Sequence, residues 1–84
     1  MDFLLTEGYD PNRLIDELIS RLHLRNDASL ARELGVPREI ISKIRHRKRP
    51  IGPAMLITMH DISGLSIADL RTIMGVHPKM LQRK

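Results

Sequence analysis

The chain has 84 residues, which suits one small domain, and it contains no cysteine, so the sequence provides neither a disulfide framework nor a thiolate metal site. Phe3 and Tyr9 are its only aromatic residues, which leaves the core to aliphatic side chains and methionine, as in small helical bundles. No apolar run approaches the ~20 residues of a membrane span, and the N-terminus lacks the basic segment of a signal peptide, so we expect a cytoplasmic protein.

The net charge of +4 is concentrated in the middle of the sequence. Residues 1–27 contain six acidic and three basic side chains, whereas residues 28–53 contain two acidic and seven basic ones. Positions 45–49 read RHRKR, and like charges this close repel one another. A local excess of this kind is typical of a face that binds a polyanion, but a solvated surface gives the same pattern. Charge alone therefore leaves both interpretations open.

The first predicted helix begins at Pro11. Asp10 can cap the free backbone amides there, and the amide hydrogen that proline lacks is not needed at a first helical position. Apolar side chains then recur at spacings of three and four, which predicts one buried stripe: Leu14, Ile15, Leu18, Ile19 and Leu22.

The second and third helices are predicted to be short and separated by a tight turn. The second covers residues 28–34, can be capped by Asn26 or Asp27, and ends at Gly35, a residue that readily adopts the left-handed conformation of a helix end. The third is expected over residues 37–46, with a proline at its first position.

Two further helices complete the predicted bundle. The fourth is expected over residues 54–62 and stops at Gly64. Ser66 begins the fifth, Asp69 three positions later forms a variant of the capping box, and Gly75 ends it. No strand pattern and no internal repeat are present in the sequence. The predicted organisation is an N-terminal arm, one domain and a basic C-terminal tail: 1–9, 10–76 and 77–84.

The second and third helices have the spacing of a helix-turn-helix. Two short helices that cross steeply need a small residue where their backbones approach, and Ala31 stands there. Gly35 provides the positive φ of the turn without steric cost. Five apolar anchors fasten the unit to the rest of the bundle: Leu30, Leu34, Val36, Ile41 and Ile44.

With these pieces in order, the sequence resembles the Cro and repressor type of helix-turn-helix DNA-binding domain of phage and bacterial regulators. The resemblance covers about residues 14–75. It implies an all-α, compact five-helix bundle with a lambda-repressor-like helix-turn-helix, and binding to double-stranded DNA as a homodimer. It rests on four segments: LARELGV at 30–36, IISKI at 40–44, KRP at 48–50 and GLSIADL at 64–70.

The chain departs from the family pattern at two places. Many members carry an acidic residue after the third helix and a glycine two positions later, where this chain has Arg45 and Arg47. Arg47 is therefore expected to adopt a left-handed conformation at a cost of roughly 1 kcal/mol. The glutamine that commonly contacts phosphate near the second helix is also missing, and Asn26, Ser29 or backbone amides are expected to replace it.

Helical periodicity assigns roles to the third helix if it enters a major groove. With Ile41 and Ile44 turned inward, Arg38 can donate two hydrogen bonds to guanine, and Glu39 can accept one from cytosine. For these two residues, an exposed pair at a first helical turn is the competing interpretation. The predicted base-reading residues are Arg38, Glu39, Ser42 and Lys43.

The basic run at 45–49 directly follows this helix, where the chain would leave the groove along the phosphates. Part of the fifth helix is expected to make a dimer contact, with ordinary core packing as the alternative. The predicted phosphate-contacting residues are Asn26, Ser29, Arg45, His46, Arg47, Lys48 and Arg49. The dimer candidates are Ile67, Ile73 and Met74.

The predicted function is thus a transcriptional regulator, a repressor in the first instance, rather than an enzyme. The four histidines share no metal-ligand spacing, and no nucleophile, phosphate-loop or paired-carboxylate motif is present, so no metal or cofactor is expected. The alternative is a protein-interaction module, antitoxin-like or adaptor-like, that binds a protein partner. It would use the acidic side of the first helix: Glu7, Asp16 and Glu17.

Overall fold

The structure is a computed structural model that describes residues 8–76. Over this range the protein is all-helical and compact, with five helices and no strand. The expected all-α five-helix fold is therefore confirmed for the described residues. The helices are α1 Pro11–Arg21, α2 Asp27–Leu34, α3 Arg38–Arg45, α4 Pro53–Ser63 and α5 Ile67–Ile73.

Local sequence signals determine most helix ends. Asp10 accepts a hydrogen bond from the amide of Asn12, Asn26 accepts one from Ser29, and the Ser66 hydroxyl accepts one from Asp69. Each of these contacts satisfies a backbone donor that a helix leaves free in its first turn. Gly35 ends α2 in the predicted left-handed conformation, and Gly64, where α4 is expected to stop, is left-handed as well.

The prediction for the limits of the third helix is wrong by one residue at each end. Pro37 has φ −65° and ψ 149°, so it is extended and precedes α3 instead of forming its first turn. The fixed φ of proline is compatible with both the helical and the extended conformation, and the value of ψ distinguishes them. His46 is the C-terminal cap. Arg47 follows with φ 60°, which confirms the left-handed conformation expected from the absence of glycine.

One apolar core joins all five helices. α2 packs against α1, α3 and α4, while α5 packs against α1 and α4. Residues with no exposed surface come from each helix, and the predicted stripe of α1 supplies three of them. The fully buried side chains include Leu14, Ile15, Leu18, Leu30, Ile41, Ile44, Met59 and Leu70.

The two ends of the described chain meet beside this core. The amide of Asp10 donates to the carbonyl of Met74 over 2.8 Å, and Tyr9 and Val76 are both buried. The predicted boundary between arm and domain after residue 9 is therefore too late, because Tyr9 packs as a core residue. The rest of the predicted arm and the predicted tail at 77–84 lie outside the described residues.

Candidate nucleic-acid interface

The α2–α3 pair is built around a three-residue connection. Gly35 has φ 74°, and the amide of Val36 donates to the carbonyl of Ala31 over 3.0 Å, which closes the end of α2. Ala31 is 2% exposed, so the small side chain is buried within this pair of packed helices. Of the five predicted anchors, four are buried and Val36 is half-buried against the core.

The outer face of α3 carries the four predicted base-reading residues. Ile41 and Ile44 are fully buried, and the side chains on the opposite side are exposed. At 3.6 residues per turn, Glu39 and Ser42 lie in the middle of this face, and Arg38 and Lys43 lie at its two edges. His46 continues the face beyond the helix end, with its Nδ1 2.8 Å from the Ser42 carbonyl.

A shallow cleft of about 270 Å³ adjoins this face. Its lining combines α3 side chains with the first residue of α2: Asp27, Arg38, Glu39, Ser42, Arg45 and His46. The cleft brings three of the four predicted base-reading residues together, and Lys43 lies outside it. Polar groups thus converge at the edge where α2 begins and α3 faces outward.

The N-terminus of α2 uses its polar side chains mainly for capping. The Asn26 Oδ1 accepts from the amide of Ser29 over 2.9 Å and from the Ser29 hydroxyl over 3.1 Å. These contacts leave the Nδ2 donor of Asn26, together with early α2 amides, as the groups that can face a phosphate. The cap fixes the first turn of α2 close to the cleft.

Arg45 differs from the expectation. The sequence predicts a phosphate contact for this residue, but its side chain turns inward and is only 24% exposed. Nε and Nη2 bind the two carboxylate oxygens of Asp27 at 2.7 and 2.9 Å, Nη2 also binds Asp16 at 2.8 Å, and Nη1 binds the Asn12 side-chain oxygen at 2.7 Å. The Asn12 amide nitrogen in turn donates to the Arg45 carbonyl over 3.2 Å. Because every guanidinium nitrogen has a partner inside the molecule, we remove Arg45 from the phosphate-contacting set.

These contacts shift the ionisation of the residues involved. The hydrogen bonds from Arg45 lower the pKa of the Asp27 carboxyl, against the opposing effect of burial, and the charge of Arg38 adds to the lowering. The same pair raises the pKa of Arg45 still further. Both groups therefore stay charged at neutral pH. Sequence reasoning missed Asn12 and Asp16 as functional neighbours of α3, because they lie 33 and 29 positions away along the chain.

The rest of the basic run faces outward. Arg47 is exposed, yet its Nη1 donates to the carbonyl of Tyr9 over 2.8 Å, and its guanidinium carbon lies 5.7 Å from the centre of the Tyr9 ring. This distance is within the range of a cation–π contact. Burial raises the pKa of the Tyr9 phenol. His46, Lys48 and Arg49 are exposed, as the predicted phosphate role requires.

The acidic side of α1, on which the alternative function depends, is largely paired. Asp16 contacts Arg45, and Glu17 accepts from Arg21 of the next helical turn over 2.6 Å. Glu7 lies outside the described residues. Both described acids of this surface have basic partners, but Arg45 is shared with Asp27, so this group keeps one net negative charge, and Asp16 is 67% exposed.

One of the three dimer candidates is part of the core. Met74 is 3% exposed, and its backbone carbonyl accepts from Asp10, so its side chain is not available to a partner in this fold. Ile67 and Ile73 are partly buried against the core and keep some exposed surface. Of the large apolar side chains described, Ile57 on α4 is the exposed one, at 56%.

The described part of the chain contains no metal-binding group and no helix able to span a membrane. Residues 8–76 bring no three histidine, cysteine or acidic side chains into a metal-binding group. His60, for example, places its Nδ1 2.7 Å from the Leu65 carbonyl at the end of α4. Of the five helices, none has both the length and the apolar character that crossing a bilayer requires.

Comparison with known proteins adds no assignment: no family model, no curated protein and no solved structure matches this chain. The resemblance to the Cro and repressor type is therefore still a prediction from the residues. The arrangement of the described side chains must support any proposed function.

Proposed function

We propose that the protein is a sequence-specific double-stranded DNA-binding regulator of transcription, repressor-like in action, that inserts α3 into the major groove. The observation that carries the proposal is the division of α3 into two faces. Ile41 and Ile44 are completely buried, and the opposite face presents a continuous row of exposed polar and charged side chains. This face leads without a break into the exposed basic residues after the helix.

The side chains on α3 have the donors and acceptors that base edges require. Arg38 presents a planar fork that suits guanine O6 and N7, and Lys43 is a flexible donor to guanine or phosphate. Glu39 accepts from cytosine N4, and the hydroxyl of Ser42 both donates and accepts. These four residues are assigned to base reading.

Affinity and register come from the neighbouring exposed groups. Lys48 and Arg49 lie on the loop that leaves α3, and His46 and Arg47 precede them. Phosphates neutralise this positive charge and release counterions, which makes the crowding of like charges favourable in the complex. The first turn of α2 adds neutral donors to phosphate, namely the Nδ2 of Asn26 and backbone amides, while the Ser29 amide and hydroxyl remain in the cap.

The protein is proposed to bind as a homodimer on a near-palindromic site. Ile67 and Ile73 are the α5 residues with apolar surface left for this contact. A two-fold dimer places two α3 helices in successive major grooves, about one helical turn of DNA apart.

Selection of bound sequences from a random duplex pool tests the function directly. We expect a site with two related halves whose centres are separated by about 10 base pairs. Titration of that site at increasing salt should give a steep loss of affinity, with log K falling by about 0.9 per phosphate contact for each unit of log salt concentration. Sedimentation with and without the site reports the dimer.

The same titration separates DNA binding from the alternative of a protein-interaction module. A protein partner held by apolar contacts has a weak salt dependence. The absence of any complex with duplex DNA in dilute buffer would rule out the proposed function, and a complex without sequence preference would restrict it to non-specific binding.

A further inference from the structure

The Arg45 side chain connects three helices at a single point. It is the last residue of α3, it binds Asp27 at the start of α2 through two nitrogens, and it binds Asn12 and Asp16 on α1. Asn12 also donates to the Arg45 carbonyl, so the backbone end of α3 is held as well as the side chain. The buried side chains of Ile41 and Ile44 hold the inward face of α3 through apolar packing.

The position of Asp27 shows why this connection matters for DNA. Asp27 lines the same cleft as Arg38 and Ser42, next to the surface proposed to face phosphates. An unpaired carboxylate at that place would repel the DNA backbone. Arg45 neutralises this carboxylate, and the ion pair attaches the end of α3 to the start of α2.

We infer that Arg45 is a positioning residue for DNA recognition: it fixes the orientation of α3 against α1 and α2 and neutralises Asp27, without contacting phosphate itself. The inference rests on the proposed function. It reassigns the first member of the basic run, which sequence reasoning groups with the phosphate contacts, and it gives a role in recognition to Asn12, Asp16 and Asp27.

The geometry explains why arginine is used here. Its planar fork binds both oxygens of Asp27 and still offers Nη1 to Asn12 and Nη2 to Asp16. A lysine supplies one point charge and cannot hold these partners in fixed directions. Arg45→Lys should therefore still neutralise Asp27, but it should hold α3 less firmly in its orientation against α1 and α2.

The test compares Arg45→Gln with Arg49→Gln, a matched loss of one positive charge four positions along the same run. Affinities are measured for the selected site and for a random duplex over a range of salt. Arg45→Gln should weaken binding to the selected site about tenfold. The ratio of its affinities for the selected site and the random duplex should fall as well. Arg49→Gln should weaken both duplexes alike and reduce the salt slope by about one unit.

A double variant isolates positioning from charge. Asp27→Asn combined with Arg45→Gln has the net charge of the natural protein, so it should keep the natural salt slope while its sequence preference stays narrowed. If Arg45→Gln instead behaves like Arg49→Gln, with a reduced slope and an unchanged preference, Arg45 contacts phosphate and the inference is wrong. If Arg45→Gln changes neither the salt slope nor the sequence preference, the inference is also wrong.

Urea unfolding of the natural protein, Asp27→Asn, Arg45→Gln and the double variant gives a readout that needs no DNA. The midpoint shifts of the two single variants should be far from additive, because both remove the same ion pair. If the natural protein binds no duplex, the proposed function fails together with the DNA part of this inference, whereas non-additive midpoints would still establish the connection between helices. Additive midpoints in a protein that binds DNA would overturn the inference alone.

Discussion

The α2–α3 half and the α4–α5 half of the molecule expose different chemistry on helices of similar size. The outer face of α3 carries charged and hydroxyl side chains, and an ion-pair network holds the helix end. α4 exposes an apolar side chain, Ile57, beside His60 and Asp61, and the Ser66 cap of α5 is a local contact. The groups proposed to contact DNA therefore lie in one half, whereas the other half packs against the core and carries the proposed dimer contact of α5.

Each half also contains a glycine with positive φ, and the two glycines differ in the space around them. Gly35 turns the chain between α2 and α3, and a Cβ placed on it would meet no atom within 4 Å. Gly75 follows α5, and a Cβ placed on it would overlap the backbone of Gly8. Both glycines have positive φ. One position is limited only by conformation, and the other by conformation and space.

The largest expected effect is therefore on stability, in the α4–α5 half. Gly75→Ala combines left-handed strain with a clash against backbone, and we expect it to lower the free energy of unfolding by about 3 kcal/mol. Gly35→Ala is the matched control, with strain alone and a loss of about 1 kcal/mol. Urea unfolding measures both. Equal losses would show that the contact between Gly8 and Gly75 does not constrain the fold.

The next effect is on binding and belongs to the α2–α3 half. Arg38→Ala should cost about 1–3 kcal/mol of binding free energy on the selected site and relax the preference at one base position. Because Arg38 is exposed and outside the core, the unfolding midpoint should stay close to the natural value. Duplex titrations with substituted sites measure the change.

The control for this variant is Arg71→Ala, which removes the same charge from α5, a helix that packs on α1 and α4. It should weaken all duplexes slightly and equally. Should the two variants change site preference to the same extent, base reading would not be confined to α3, and the contrast between the halves would be wrong.

Features that depend on residues close together in the sequence could be predicted from it. The caps at Asp10, Asn26 and Ser66 depend on residues two or three positions away; those at Asp10 and Ser66 are predicted correctly, and Asn26 is one of the two alternatives predicted for α2. The inward face of α3 follows from helical periodicity in the same way, since Ile41 and Ile44 are both buried. These features could be predicted because a few neighbouring residues determine them.

The features that sequence reasoning missed depend on contacts between distant segments. Arg45 and Asp27 are 18 positions apart, and Arg47 reaches Tyr9 across 38 positions. In the sequence, Arg45 and Arg49 belong to the same basic run, and only the packing of α1 and α2 against α3 separates an inward charge from an outward one. Met74 was misassigned for a related reason, since its burial depends on the chain end near Asp10.

The smallest expected effect concerns pH and the ion pair that holds α3. Arg45 lowers the pKa of Asp27 in the folded protein below its unfolded value of 3.8, so the folded state binds the proton less tightly. The contribution of the pair is thus fully present above this value and is lost as the pH falls through the lower folded pKa. For a partly exposed pair we expect less than about 1 kcal/mol.

Urea unfolding of the natural protein and of Asp27→Asn between pH 6 and about pH 2 measures this contribution. The natural protein should lose stability more steeply below about pH 4, because Asp27→Asn has no carboxylate to protonate at that position. Asp61→Asn is the control: this exposed α4 carboxylate forms no ion pair among the described residues. Asp61→Asn should lose stability below about pH 4 as steeply as the natural protein does. Parallel curves for the natural protein and Asp27→Asn would mean that Arg45 does not stabilise the Asp27 carboxylate in the folded protein.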